Sequence, residues 1–86
     1  MNYYNIEETR TEEGVFVKHH KGYFTFRFSF EEIIVFEEIK TSVMEVYNLK
    51  SEEYLGASFE VTYKEIINDL DDDDFLTFRI IDLKLI

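Results

Sequence analysis

The chain has 86 residues, 45% of them hydrophobic, and a formal net charge of −10 with a pI near 4.5. That length suits a single domain, residues 1–86, whose thin core depends on its nine Phe and six Tyr. The absence of Cys excludes a disulfide framework and thiolate metal sites, and the negative field disfavours phosphate backbones and anionic membranes. The apolar content is too high for disorder driven by charge alone. Basic partners, cations or simple solubility are the roles that such a charge favours. No stretch is apolar enough to span a bilayer. The opening Met1-Asn2-Tyr3-Tyr4-Asn5-Ile6-Glu7-Glu8 has neither the basic nor the apolar region of a signal peptide, so a cytoplasmic location is expected.

Residues 3–13 mix aromatic and β-branched residues with charge, which suits a first strand or an ordered arm. Gly14 permits a turn or a bulge. Val15-Phe16-Val17-Lys18-His19 is strand-like, and Lys21-Gly22 offers a tight hairpin connection to the next segment. That segment is the clearest in the chain: Phe occupies 24, 26, 28 and 30, while Thr25, Arg27 and Ser29 lie between. A strand sends alternate side chains to opposite faces, so one face is aromatic and the other polar. Glu31-Glu32 interrupts the pattern, and Ile33-Ile34-Val35-Phe36 reads as a third strand joined by a hairpin.

The period then changes. Ser42 and Glu45 have the spacing of a capping box, and Val43, Val46, Tyr47 and Lys50 share one side of a helix over 41–50. Residues 51–54 could add a turn, and Gly56 ends the element. Phe59, Val61 and Tyr63 alternate with Glu60, Thr62 and Lys64 as a half-buried strand. Five Asp between Asn68 and Asp74 read as a solvated loop. In the last segment Leu76, Phe78 and Ile80 are in phase, but Ile81, Leu83 and Leu85 follow the opposite phase. One inserted residue near Ile80–Ile81, a β-bulge, accounts for the flip.

The order β-β-β-α-β-β is that of an OB-type barrel. The Tyr47-Asn48-Leu49 run, Gly56, Phe59-Glu60-Val61-Thr62-Tyr63, the acidic loop and Ile80-Ile81-Asp82-Leu83-Lys84-Leu85 carry a resemblance from about residue 14 to 86. The chain resembles a group of small acidic bacterial proteins with an OB-like barrel. The resemblance implies a fold and transfers no site. A Gly-rich first strand, usual in such barrels, is missing here.

Candidate chemistry is sparse. His19 and His20 are adjacent, so a strand points them apart and they cannot easily share a metal. Asp69, Asp71 and Asp73 are candidate Ca²⁺ ligands by carboxylate chemistry, but the loop lacks the Gly and closing Glu of an EF-hand. There is no nucleophile elbow, and Ser29, Ser42, Ser51 and Ser58 each suit a strand, cap or turn. The polar face Tyr23, Thr25 and Arg27 is the candidate binding surface, because strand two contributes to the usual ligand face of an OB barrel.

The expected fold is therefore mainly β: a small five-stranded OB-like barrel with one short helix between strands 3 and 4. The alternative is an open antiparallel sheet with the helix packed on it. The expected core holds Val15, Val17, Phe24, Phe26, Phe28, Phe30, Ile34, Phe36, Val43, Val46, Tyr47, Phe59, Val61, Tyr63, Phe78, Ile80, Leu83 and Leu85. The expected function is non-catalytic, without cofactor or resident metal: a module that binds a protein partner or self-associates, and neither nucleic acid nor membrane. A nucleic-acid mimic that occupies a basic protein is one alternative, and a cation- or small-ligand-binding domain using the Asp loop is another.

Overall fold

The computed structural model describes residues 6–67 and 76–86, with the side chains of Ile6 and Phe30 excepted. The Asp loop, and with it Asp69, Asp71 and Asp73, lies outside the described residues, as does the side chain of Phe30.

The described chain forms β1 (Ile6–His20), β2 (Tyr23–Phe28), β3 (Ile33–Phe36), β4 (Glu38–Ile39), α1 (Thr41–Val46), β5 (Ser58–Ile67) and β6 (Leu76–Leu85). The six strands make one sheet in the order β3-β2-β1-β5-β6-β4. It is mixed, since β4 runs parallel to β6 while the other ladders are antiparallel. The mainly-β expectation holds. The closed five-stranded barrel does not: the sheet is unclosed. The expected third strand, Ile33–Phe36, forms as β3, but a further strand, β4, splits off after it onto the opposite edge.

Glu37 is the reason for that split. It alone separates β3 from β4, and its N–H donates to Phe78 O at 3.2 Å. The chain thus steps from the β2 edge to the β6 edge in one residue. The sheet must coil strongly for this to happen, and Phe36 of β3 reaches Tyr63 and Phe78 with ring centroids 5.3 and 6.1 Å apart.

The long first strand makes the coil possible. Residues 6–15 of β1 pair with β5, and residues 14–20 pair with β2. The two ladders overlap at Gly14 and Val15, and Gly14 faces Phe28 on one side and Phe59 on the other. The Lys21-Gly22 turn closes the β1–β2 hairpin with φ of 49° and 85°, a conformation that favours Gly. A 3-10 turn at Ser29–Glu31 links β2 to β3.

Phe24, Phe26 and Phe28 all face inward, as their alternation predicts. They meet Phe16, Ile34, Phe36, Phe59, Val61, Tyr63, Ile80 and Leu83 in one core. Three expected core residues are exposed instead: Val17 at 42%, Val46 at 67% and Leu85 at 45%. A bulge between Phe16 and Lys18 makes Val17 the extra residue, so Phe16 holds the inward position that Val15 and Val17 were expected to share. The helix spans only Thr41–Val46, because Tyr47 already has extended backbone. Ser42 lies inside the helix and forms no cap; Lys40 precedes it, held by its N–H to Ile80 O at 2.9 Å. Leu49, three residues beyond Val46, is fully buried and joins the core, whereas Val46 does not. Leu85 is the last residue of β6. The bulge expected near Ile80–Ile81 is present: Thr62 faces Asp82 and Tyr63 faces Ile80, which leaves Ile81 unpaired.

Candidate functional surface

Register fixes which side chains share the outer face of β1, β2 and β3. Residues directly opposite in an antiparallel pair lie on the same side of the sheet. His20 lies beside Tyr23; Lys18, Thr25 and Val35 form the next row; Val15, Arg27 and Ile33 form the third. Tyr23 is 48% exposed, Ile33 61% and Val35 46%, and the bulged Val17 is also open to solvent. The expected binding residues Tyr23 and Arg27 are both exposed here. Thr25 is buried, flanked in register by Lys18 and Val35, so it contributes to the floor of the face rather than to its rim.

The charge of this face is the feature that residue-by-residue reading missed. Residues 14–30 hold Lys18, Lys21 and Arg27 and no acid, so this stretch carries +3 and the rest of the chain −13. The three rows contain no carboxylate. Gly14 marks the boundary within β1, because Glu7, Glu8, Glu12 and Glu13 precede it and none follows. Summing charge over the whole chain hides this asymmetry; counting acids in a sliding window exposes it.

The acidic part is partly neutralised from within. Arg10 Nη2 lies 3.3 Å from Glu8 and 3.7 Å from Glu65, and Lys64 Nζ lies 3.9 Å from Glu7. These exposed pairs are worth little individually, but they break the carboxylates into short groups. A groove of about 850 Å³ lies near the Lys21-Gly22 turn, with Lys40, Lys50, Lys64 and Arg79 on its walls together with Glu37 and Glu38. Arg79 gives Nε and Nη2 to one Glu38 oxygen at 2.9 and 2.8 Å, so the groove contains opposed charges and not a purely cationic wall.

His19 and His20 diverge as expected. His19 packs its ring 5.1 Å from Phe24, and its buried Nε2 has no hydrogen-bond partner among the described residues; His20 is exposed. Among the described residues, no three His, Asp or Glu side chains gather around a point where one cation could sit. Likewise, no helix among them is long and apolar enough to cross a membrane. No protein-family model, curated protein or solved structure matches the chain.

Proposed function

We propose that the chain is a non-catalytic interaction module on an OB-like sheet, and that it docks a protein partner on the outer face of β1, β2 and β3. The OB-like reading is supported by three features: β1 shared between two ladders, β4 parallel to β6, and α1 between β4 and β5. One observation carries the functional reading: Tyr23, Ile33 and Val35 are large side chains left open on one face, and the exposed Val17 lies in the β1 bulge between Phe16 and Lys18. Isolated exposed apolar residues need no explanation, but a grouped set on a sheet edge marks an interaction surface.

The mimic alternative has less support. It requires carboxylates in uninterrupted rows, and Arg10 and Lys64 interrupt them on β1 and β5. The cation-binding alternative rests on Asp69, Asp71 and Asp73, outside the described residues.

The test is photocrosslinking in the source cell from a benzoylphenylalanine placed at Val35. A discrete protein adduct is expected, and it disappears when Ile33→Asp is added. Lys84→Glu, distant on β6, leaves it intact. No adduct, or an adduct indifferent to Ile33→Asp, overturns the reading.

A further inference from the structure

The contact face has the opposite charge to the molecule that bears it. Lys18 lies in register with Thr25 and Val35, and Arg27 with Val15 and Ile33, so each cation has an aliphatic neighbour two strands or one strand away. Lys18, Lys21 and Arg27 are exposed and have no ion pair with another described residue. Elsewhere Arg10, Lys64 and Arg79 each lie within ion-pair distance of a carboxylate, while Lys40, Lys50 and Lys84 form no ion pair among the described residues, so the distinction of this face is its lack of acids. In a chain with more than twice as many acids as bases, Lys18 and Arg27 lie in rows that hold no carboxylate, with Lys21 in the adjoining turn.

A surface that places cations beside aliphatic groups is matched by a chain that places carboxylates beside apolar side chains. Single-stranded nucleic acid fits less well. Such ligands are held by stacked aromatic platforms, and the rings on this face, His20 and Tyr23, share one corner while the other rows hold Val15, Ile33 and Val35. A symmetric pairing with the same face of a second copy would set these cations against their own duplicates. Resting on the reading of this face as an interaction surface, we infer that its partner is a polypeptide segment in which Asp or Glu alternates with apolar residues.

The experiment is fluorescence anisotropy on the full chain with a short labelled peptide alternating Glu and Leu. Its probes for comparison are a twin with Lys in place of Glu and an oligothymidylate. The acidic peptide is expected to bind and the Lys twin not to. Lys18→Glu with Arg27→Glu should weaken binding by about tenfold or more, and Lys18→Gln with Arg27→Gln by less. Raising salt from about 0.1 M to about 1 M shortens screening from about 10 Å to about 3 Å and should weaken it likewise. Equal binding of the Lys twin, tighter binding of oligothymidylate, no binding of the acidic peptide, or no effect of charge reversal overturns the inference. The crosslink from position 35 separates the two claims: if it persists while the acidic peptide fails, the face is an interaction surface and only the chemistry assigned to its partner is wrong.

Discussion

Gly14 and Phe28 are cross-strand partners, and the Phe28 ring fills the space that a side chain at position 14 would need. A Cβ on Gly14 would lie 2.7 Å from Phe28 Cε1 and 2.9 Å from Cδ1. The ring is 4% exposed and is packed against Phe26, Phe36 and Tyr63, so it has little room to withdraw. Gly14→Ala should therefore cost about 1–3 kcal/mol, the usual range for overpacking. In a domain of this size that corresponds to a fall in Tm of several degrees. A melting curve equal to that of the parent would show that the ring yields freely.

Tyr63 and Glu12 couple the core to the acidic half of β1. The phenol donates to Glu12 Oε2 at 2.9 Å. Burial, then this hydrogen bond and the Glu12 charge, raise the Tyr63 pKa above its ordinary value. A raised pKa means that the fold prefers the protonated phenol. The associated stability is complete below the unfolded value near 10 and is lost as pH climbs toward the higher folded value. Denaturant midpoints should fall above pH ~10 in the parent and fall less steeply in Tyr63→Phe. At neutral pH the same substitution should cost about 0.5–1.5 kcal/mol, the net worth of one hydrogen bond. Parallel alkaline limbs for the two proteins would remove Tyr63 as the titrating group.

Phe16 and Val17 test the phase of β1 directly. Phe16 is fully buried with its ring 5.2 Å from Phe26, whereas Val17 is 42% exposed. Phe16→Ala should cost about 3–5 kcal/mol, a large share of the total stability of a small domain. Val17→Ala should cost less than about 1 kcal/mol. Phe26→Ala, at the centre of four ring contacts, should match Phe16→Ala. Reversed magnitudes for positions 16 and 17 in urea titrations would place the bulge elsewhere.

Those contrasts show where the fold was legible. Phe24, Phe26 and Phe28 are spaced by two with polar residues between, and only a strand reconciles that spacing with one buried face. Val15-Phe16-Val17 offers no such contrast: three apolar residues in a row suit either phase, and the bulge that decides between them leaves no mark in the residue types. The helix was legible in kind but not in length. Its periodicity extends past Tyr47, yet the Tyr47 ring is drawn to Tyr54 and Phe59, at 5.7 and 5.3 Å, as the backbone leaves the helix. The split at Glu37 depends on a tertiary hydrogen bond to Phe78 O, which no local pattern encodes. The candidate face was half legible. Tyr23 and Arg27 follow from alternation on one strand, but Ile33, Val35 and Lys18 join them only through register.

The β6 bulge is the feature that the residue order announced and the ladder contains, and it yields a decisive test. Ile81 is the unpaired residue, and it allows Ile80 and Leu83 both to face the core, at 0% and 5% exposure. With Ile81 removed, Asp82 would follow Ile80 directly and the two would face the consecutive residues Thr62 and Tyr63 as a regular ladder. Deletion of Ile81 should therefore keep the fold, with Leu83 still opposite Val61 and turned to the core. An Ala inserted between Asp82 and Leu83 does the reverse: Leu83 turns toward solvent and Lys84 toward the core. Loss of a buried Leu costs about 2–5 kcal/mol even before a charged side chain is buried in its place. The lengthened chain should be largely unfolded at room temperature, read by circular dichroism and by loss of dispersed amide resonances, while the deletion retains both signals. An unfolded deletion variant beside a folded insertion variant would mean that Ile81 is not the extra residue and that the phase reversal between Ile80 and Leu83 has another origin.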